Sequence, residues 1–256
     1  MSFAPVIDSL GIPPSALVEQ RVPKKLLLEH GAPTAADKRQ IQDGIDEIVW
    51  VAALKPTNIG VPAFQDAVRE YLEVAVLTVE LRPAAKPARL IELIHRAIPY
   101  PLILATGQAR AVSLSLAHKR WSQGEAGKVV IEEVRQAALN PEAPSTQESE
   151  FLASLSVSRL PTRDLFAFYD GILVRLAALE AAHILGRFLV PADAGAAVTL
   201  AEALEARARI ERQLVVLRAQ ARRETQVNRR VQINLEMSKL ERNLSETLLK
   251  VGGSPE

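Results

Sequence analysis

Eight arginines, Arg207, Arg209, Arg212, Arg218, Arg222, Arg223, Arg229 and Arg230, crowd one stretch near the C-terminus against only two acids, Glu211 and Glu224. Guanidinium groups grip phosphate and carboxylate bidentately, so the run could follow a nucleic-acid backbone or an acidic partner. The plainer alternative is the solvated flank of a packed helix, since arginine favours helices and pairs with acids on a neighbouring one.

Carboxylates form the second set. Phosphodiester hydrolysis needs acids on adjacent strands to hold Mg²⁺ between attacking and leaving oxygens. Glu73, Glu80, Glu132 and Glu133 fall on predicted strands, with Lys119 and Arg120 at the end of another. Glu133-Val-Arg135 approximates the acid-x-Lys pattern of restriction-type nucleases, with Arg in place of Lys and no upstream Asp at a matching place. A divergent Mg-dependent nuclease using Glu80, Glu133 and Lys119 is therefore carried as a third reading.

The four histidines, His30, His95, His118 and His183, contain no i,i+4 pair and no His-Glu-x-x-His, so no metal site is expected. Nor does the chain contain a phosphate-cradling glycine loop or a Gly-x-Ser-x-Gly elbow. No cofactor is expected, and the lack of a catalytic motif points away from an enzyme. The basic residues Arg21, Lys24 and Lys25 read as a surface loop able to meet an anion.

These residues need elements to hold them. Thr34 with Asp37 three residues on has capping-box spacing, and Ile41, Ile45, Ile48, Val49 and Ala52 follow at helical intervals, predicting a helix that Pro56 stops. Residues 70–81 read as a central strand, followed by a helix from Pro87 to about Ile98, a hairpin over 101–116, and a further strand over 128–134. The predicted fold class is α+β: a mixed β-α-β-β-β sheet backed by helices over residues 1–136. The turn-forming stretch 137–150 is expected to be a linker to a helical arm over 151–256.

In that arm one helix is expected at about 162–186 and a long coiled-coil-like helix at about 198–251. The long helix has an apolar stripe of Ile210, Leu214, Leu217 and Ala221, and another of Ile233, Met237, Leu240, Leu244 and Leu248. The two stripes are out of phase across an almost wholly polar stretch. Either the first packs on the 162–186 helix while a partner chain covers the second, or the helix breaks at the polar stretch.

Composition bounds the rest. A chain 48% hydrophobic and 24% charged can bury a core unaided, and its lack of cysteine excludes disulfides and Cys-based metal sites. A net charge of +1 gives no global field, and aromatics at 4% leave few base-stacking platforms. With no leader-like N-terminus and no long apolar run, a soluble cytoplasmic protein is expected, with no membrane association.

Several segments in one order, Gln20-Arg-Val-Pro-Lys-Lys, Glu47-Ile-Val-Trp-Val-Ala-Ala-Leu-Lys-Pro-Thr-Asn-Ile, Ala97-Ile-Pro-Tyr-Pro-Leu-Ile-Leu and Leu160-Pro-Thr-Arg-Asp-Leu-Phe-Ala-Phe-Tyr, resemble the bacterial and archaeal domain-of-unknown-function family numbered 4391. The similarity extends to Asn228-Arg-Arg-Val-Gln-Ile-Asn-Leu-Glu. The resemblance supplies no catalytic residues. It implies a place beside DNA methyltransferases and helicases of restriction-like or anti-phage loci. The expected function is thus a non-catalytic interaction or scaffold subunit with protein partners of that kind, and with self-association as a further option. Direct nucleic-acid binding through the arginine-rich helix is the alternative.

Overall fold

The computed structural model describes residues 3–125 and 128–249. The chain opens with a short helix, α1 (Ala4–Ser9), an extended strand, β1 (Leu17–Arg21), and α2 (Lys24–His30). Thr34 caps α3 (Ala35–Gly44) by accepting from the Asp37 N–H at 3.1 Å. Here the structure departs from the helix expected to run on to Pro56: beyond Gly44 the chain is strand β2 (Ile45–Leu54). Apolar spacing alone fits helix and buried strand equally, and the residues after Gly44 include Ile48, Val49, Trp50 and Val51, which suit a pleated surface between two neighbours.

A short helix α4 (Pro56–Ile59) leads to a small hairpin, β3 (Phe64–Gln65) with β4 (Glu70–Tyr71). The central strand β5 (Val74–Leu81) therefore starts later than expected, residues 70–71 belonging to that hairpin. Helix α5 (Pro87–Ala97) carries the chain over to β6 (Leu102–Gln108), parallel to β5, and β7 (Ala111–Leu116) returns antiparallel. Next come β8 (Lys119–Trp121), β9 (Val129–Ile131) and β10 (Arg135–Leu139).

The main sheet has the order β1-β2-β5-β6-β7-β10 and is antiparallel except at β5–β6. Its last strand is not the expected 128–134 segment, which supplies β9 and pairs with β8; residues 135–139 pair with β7 instead. The supposed linker at 137–150 is likewise structured. Ser145 and Glu148 form a reciprocal capping box for α6 (Thr146–Ser154), and the Glu148 carboxylate also accepts the Asn140 N–H at 2.9 Å. Phe151 is fully buried. Turn-forming composition here marks a strand-to-helix junction rather than a tether.

One core lies between the sheet and helices α2, α3 and α5, where Leu27, Ile41, Leu90, Ile91 and Ile94 meet Leu77, Val79 and Leu104. The close approach of α2 to α5 depends on Gly31, because an added Cβ would sit 2.6 Å from the Ala97 Cβ and 2.8 Å from the Leu93 carbonyl. Gly31→Ala is therefore expected to destabilise by about 1–3 kcal/mol, read as a lowered Tm in a thermal melt.

Helix α7 (Leu165–Leu185) follows, and its first turns are tied to the sheet by Tyr169. The fully buried Tyr169 hydroxyl accepts the Ala117 N–H at 2.9 Å and lies 2.9 Å from the Leu102 carbonyl. The chain divides into two compact units, Met1–Leu176 and Ala177–Glu256, so the boundary falls inside α7 rather than at 137–150. In the second unit Ala177, Ala178 and Ala181 pack on Leu200, Ala203 and Leu204 of α8 (Ala194–Arg223), which Asp193 caps.

The expected single helix over 198–251 is in fact two. After α8 the backbone extends at Glu224, whose carboxylate accepts the Gln226 N–H, and α9 (Val227–Leu249) begins. The anticipated end near Val251 lies outside the described residues. No helix among them is long and apolar enough to cross a membrane.

Edge strand β1 is exposed along its length and is not flat. Glu19 sits at φ +50°, and the register with β2 slips between Leu17 and Gln20.

Candidate interaction interface

Helices α8 and α9 form an antiparallel hairpin, and the break explains the phase change between the two apolar stripes. Folding back lets each stripe use the other, where an unbroken helix would leave both to outside partners. Leu214 is buried, while Ile210, Leu217, Ile233, Met237, Leu240 and Leu244 are half-buried; the side chain of Leu248 lies outside the described residues. Two interhelical polar contacts fix the pairing: Arg218 meets Glu241 at 3.0 Å, and Arg207 donates to the Leu244 carbonyl at 3.4 Å while paired with Glu211.

The remaining arginines of the run, Arg209, Arg212, Arg222, Arg223, Arg229 and Arg230, are exposed and make no ion pair among the described residues. Four of them flank the turn. Arg222 and Arg223 end α8, where the helix dipole welcomes a cation, but Arg229 and Arg230 lie in the first turns of α9, where it does not. With no acid in the first turn of α9, this end of the hairpin concentrates positive potential. Beside it runs exposed apolar surface. Val227, Val231 and Leu235 recur four residues apart on α9 at 64%, 51% and 67% exposure, and Val215 and Val216 are exposed on α8.

The carboxylates expected to serve a nuclease are not gathered. Glu80 on β5 stands directly opposite Glu47 on β2, but Glu47 pairs with Arg21 at 3.4 Å, and Asp46 with Arg82 at 3.5 Å. Glu133 lies in the loop between β9 and β10, and Lys119 is buried with its Nζ donating to the Ile98 carbonyl. Among the described residues no group of three His, Cys, Asp or Glu side chains could hold a metal ion.

Sequence reasoning missed a partly buried polar cluster. The Tyr71 hydroxyl lies 2.6 Å from His118 Nδ1, and His118 Nε2 lies 3.2 Å from Asp170 Oδ1. Phe166 stacks on the imidazole, and Arg69, paired with Glu132, sits over the Phe166 ring. Burial pushes the Tyr71 phenol well above its ordinary range. No local spacing could announce this group, which is assembled from four separated segments.

Also missed was an apolar cavity of about 300 Å³, walled by Leu26, Leu27, Trp50, Ile98 and Tyr100, with Arg21 and His30 among its polar lining.

The chain matches the family model for a domain of unknown function, DUF4391, over residues 10–244. It is a DUF4391 protein. No curated protein and no solved structure matches it. In this DUF4391 protein, three of the segments that carry the resemblance meet at the apolar cavity: residues 20–23, Trp50 and residues 97–100 all line it. The arginine hairpin falls within the DUF4391 match as far as residue 244.

Proposed function

We propose that the protein is a non-catalytic interaction subunit, acting in the cytoplasm, that docks on a larger nucleic-acid-processing enzyme through the α8–α9 hairpin. One observation carries the reading: unpaired arginines and an exposed Val227/Val231/Leu235 line occupy the same hairpin. Apolar anchors flanked by uncompensated guanidiniums suit an amphipathic acidic helix, the anchors supplying affinity and the charges orientation. A DNA methyltransferase or a helicase is the partner that the family resemblance favours.

Co-purification of the full chain with those two enzymes tests it. Changing Val231 and Leu235 to Ser is expected to weaken capture at least tenfold and leave the melting curve of Met1–Leu176 unchanged. Equal capture by the variant would remove the hairpin from the interface.

A second reading is favoured by the arginines alone, namely direct binding of a duplex backbone. The hairpin described here contains no aromatic residue, so phosphate contact rather than base stacking would supply the affinity. Neutralising Arg222, Arg223, Arg229 and Arg230 to Gln should then flatten the salt dependence, lowering the slope of log K against log salt by about 3–4. A gel shift insensitive to salt would count against it.

A further inference from the structure

The apolar cavity of about 300 Å³ opens off the main core. Leu27, Ile48 and Leu77 belong to the core packed between sheet and helices, yet each also lines the void, with Leu26, Trp50 and Ile98 beside them. Protein cores are close-packed, so a gap of this size leaves its wall atoms without the neighbours that dispersion requires. Its volume reaches the lower end of the roughly 300–1,000 Å³ typical of small-molecule pockets.

The polar residues of the lining decide what charge an occupant carries. The Trp50 indole N–H donates to the Ala52 carbonyl at 2.8 Å and so is already satisfied. Arg21 pairs with Glu47 at 3.4 Å, and its side chain is 73% exposed, which holds its charge in solvent rather than in the void. Gln20, His30 and Tyr100 are also exposed and belong to the rim. A charged group inside would be desolvated without a partner, at a large cost.

We propose that this cavity binds a neutral, largely apolar small molecule, its body against Leu26, Trp50, Leu77 and Ile98 and any hydroxyl left at the rim. Size sets the scale. An apolar cavity of about 150 Å³ stays dry and takes up benzene, so one of roughly twice that volume suits about nine to twelve heavy atoms. The entire lining lies within Met1–Leu176, so the proposal stands or falls independently of the hairpin.

Titration of the full chain with 1-nonanol tests it, with Trp50 as reporter once Trp121→Phe removes the other of the two tryptophans. A saturable change in Trp50 emission is expected, together with a raised Tm, because a ligand bound only by the folded chain stabilises it by mass action. 1-Pentanol has four methylenes fewer, each worth about fourfold in affinity when buried, and should bind roughly a hundredfold more weakly. Nonanoate, the same chain bearing a charge, should bind roughly fivefold more weakly than nonanol, and Leu26→Glu, which puts a carboxylate in the wall at a position 47% exposed, should weaken nonanol roughly tenfold. No saturable change, equal binding of pentanol and nonanol, nonanoate binding as tightly as nonanol, or unchanged nonanol affinity in Leu26→Glu would each overturn the proposal.

Discussion

Tyr169→Phe is expected to destabilise the first unit by about 2–4 kcal/mol, lowering its Tm by roughly 5–12 °C. The volume change is negligible, so the effect isolates one hydroxyl. That hydroxyl accepts the Ala117 N–H and shares its proton between the Leu102 and Ala117 carbonyls at 2.9 and 3.1 Å. The ring is fully buried, and burial raises the phenol far above its ordinary range. Removing the oxygen leaves a buried donor and a buried acceptor without partners, at about 1–3 kcal/mol each. Urea unfolding of wild type and variant measures the difference. A loss below 1 kcal/mol would mean that the start of β6 and the end of β7 do not depend on α7 for their hydrogen bonds.

Stability should also climb with pH well past neutrality, contrary to the usual optimum between about pH 5 and 8. Burial holds two bases below their ordinary values: His95 falls to about 3, with the nearby Lys119 charge contributing, and Lys119 falls to about 7. For each, the unfolded chain binds the proton more readily than the folded one, so stability rises with pH between the folded and unfolded values. His95 acts between pH 3 and 6.5, and Lys119 between 7 and 10.5. From pH 7 to 9 the lysine alone contributes about 2 kcal/mol, an order-of-magnitude figure. Lys24, also lowered chiefly by burial, adds in the same direction.

Two effects bound this rise. Above about pH 10 the buried phenols of Tyr71 and Tyr169 oppose it, because they ionise more easily in the unfolded chain. Below pH 4 Asp37, which the Arg89 guanidinium and Thr34 hold down to about 2, loses its contribution. Urea midpoints across pH 4 to 11 should therefore rise through pH 9 and peak near pH 10. Lys119→Met is expected to flatten the limb above 7 and His95→Leu the limb below 6.5. A wild-type optimum at pH 6 would show that both bases titrate normally.

What could be read from the sequence follows a physical divide. The β5-α5-β6 crossover was legible because Pro87, the apolar period of Leu90, Ile91 and Ile94, and Pro99 and Pro101 state it locally. Strand β2 was not, since Ile41, Ile45, Ile48 and Ala52 fit a helix until β5 and β1 are there to pair with. The hairpin was half legible: the polar stretch and the stripes appear in the sequence, but which of two foldings uses them is a tertiary matter. Composition misled at 137–150, where Ser145 and Glu148 look like linker residues and act as a cap.

The site residues divide the same way. The arginine run is plain in the sequence, yet only the hairpin distinguishes Arg207 and Arg218, which are paired, from the six that are not. Lys119 reads as a surface cation at a strand end. Its burial depends on the 98–101 loop, twenty residues away, closing over it.

The distorted edge of the sheet has a consequence for how molecules of this chain meet one another. An exposed strand carrying Leu17 and Val18 would template pairing with a second chain if its backbone donors and acceptors ran in a straight row. The left-handed kink at Glu19 and the register slip break that row, while Glu19 and Arg21 place charge along it. β1 can thus complete its own sheet and still refuse another, and a variant that straightened it, such as a two-residue deletion within 18–19, should turn a monodisperse edge into a nucleus for intermolecular β-structure.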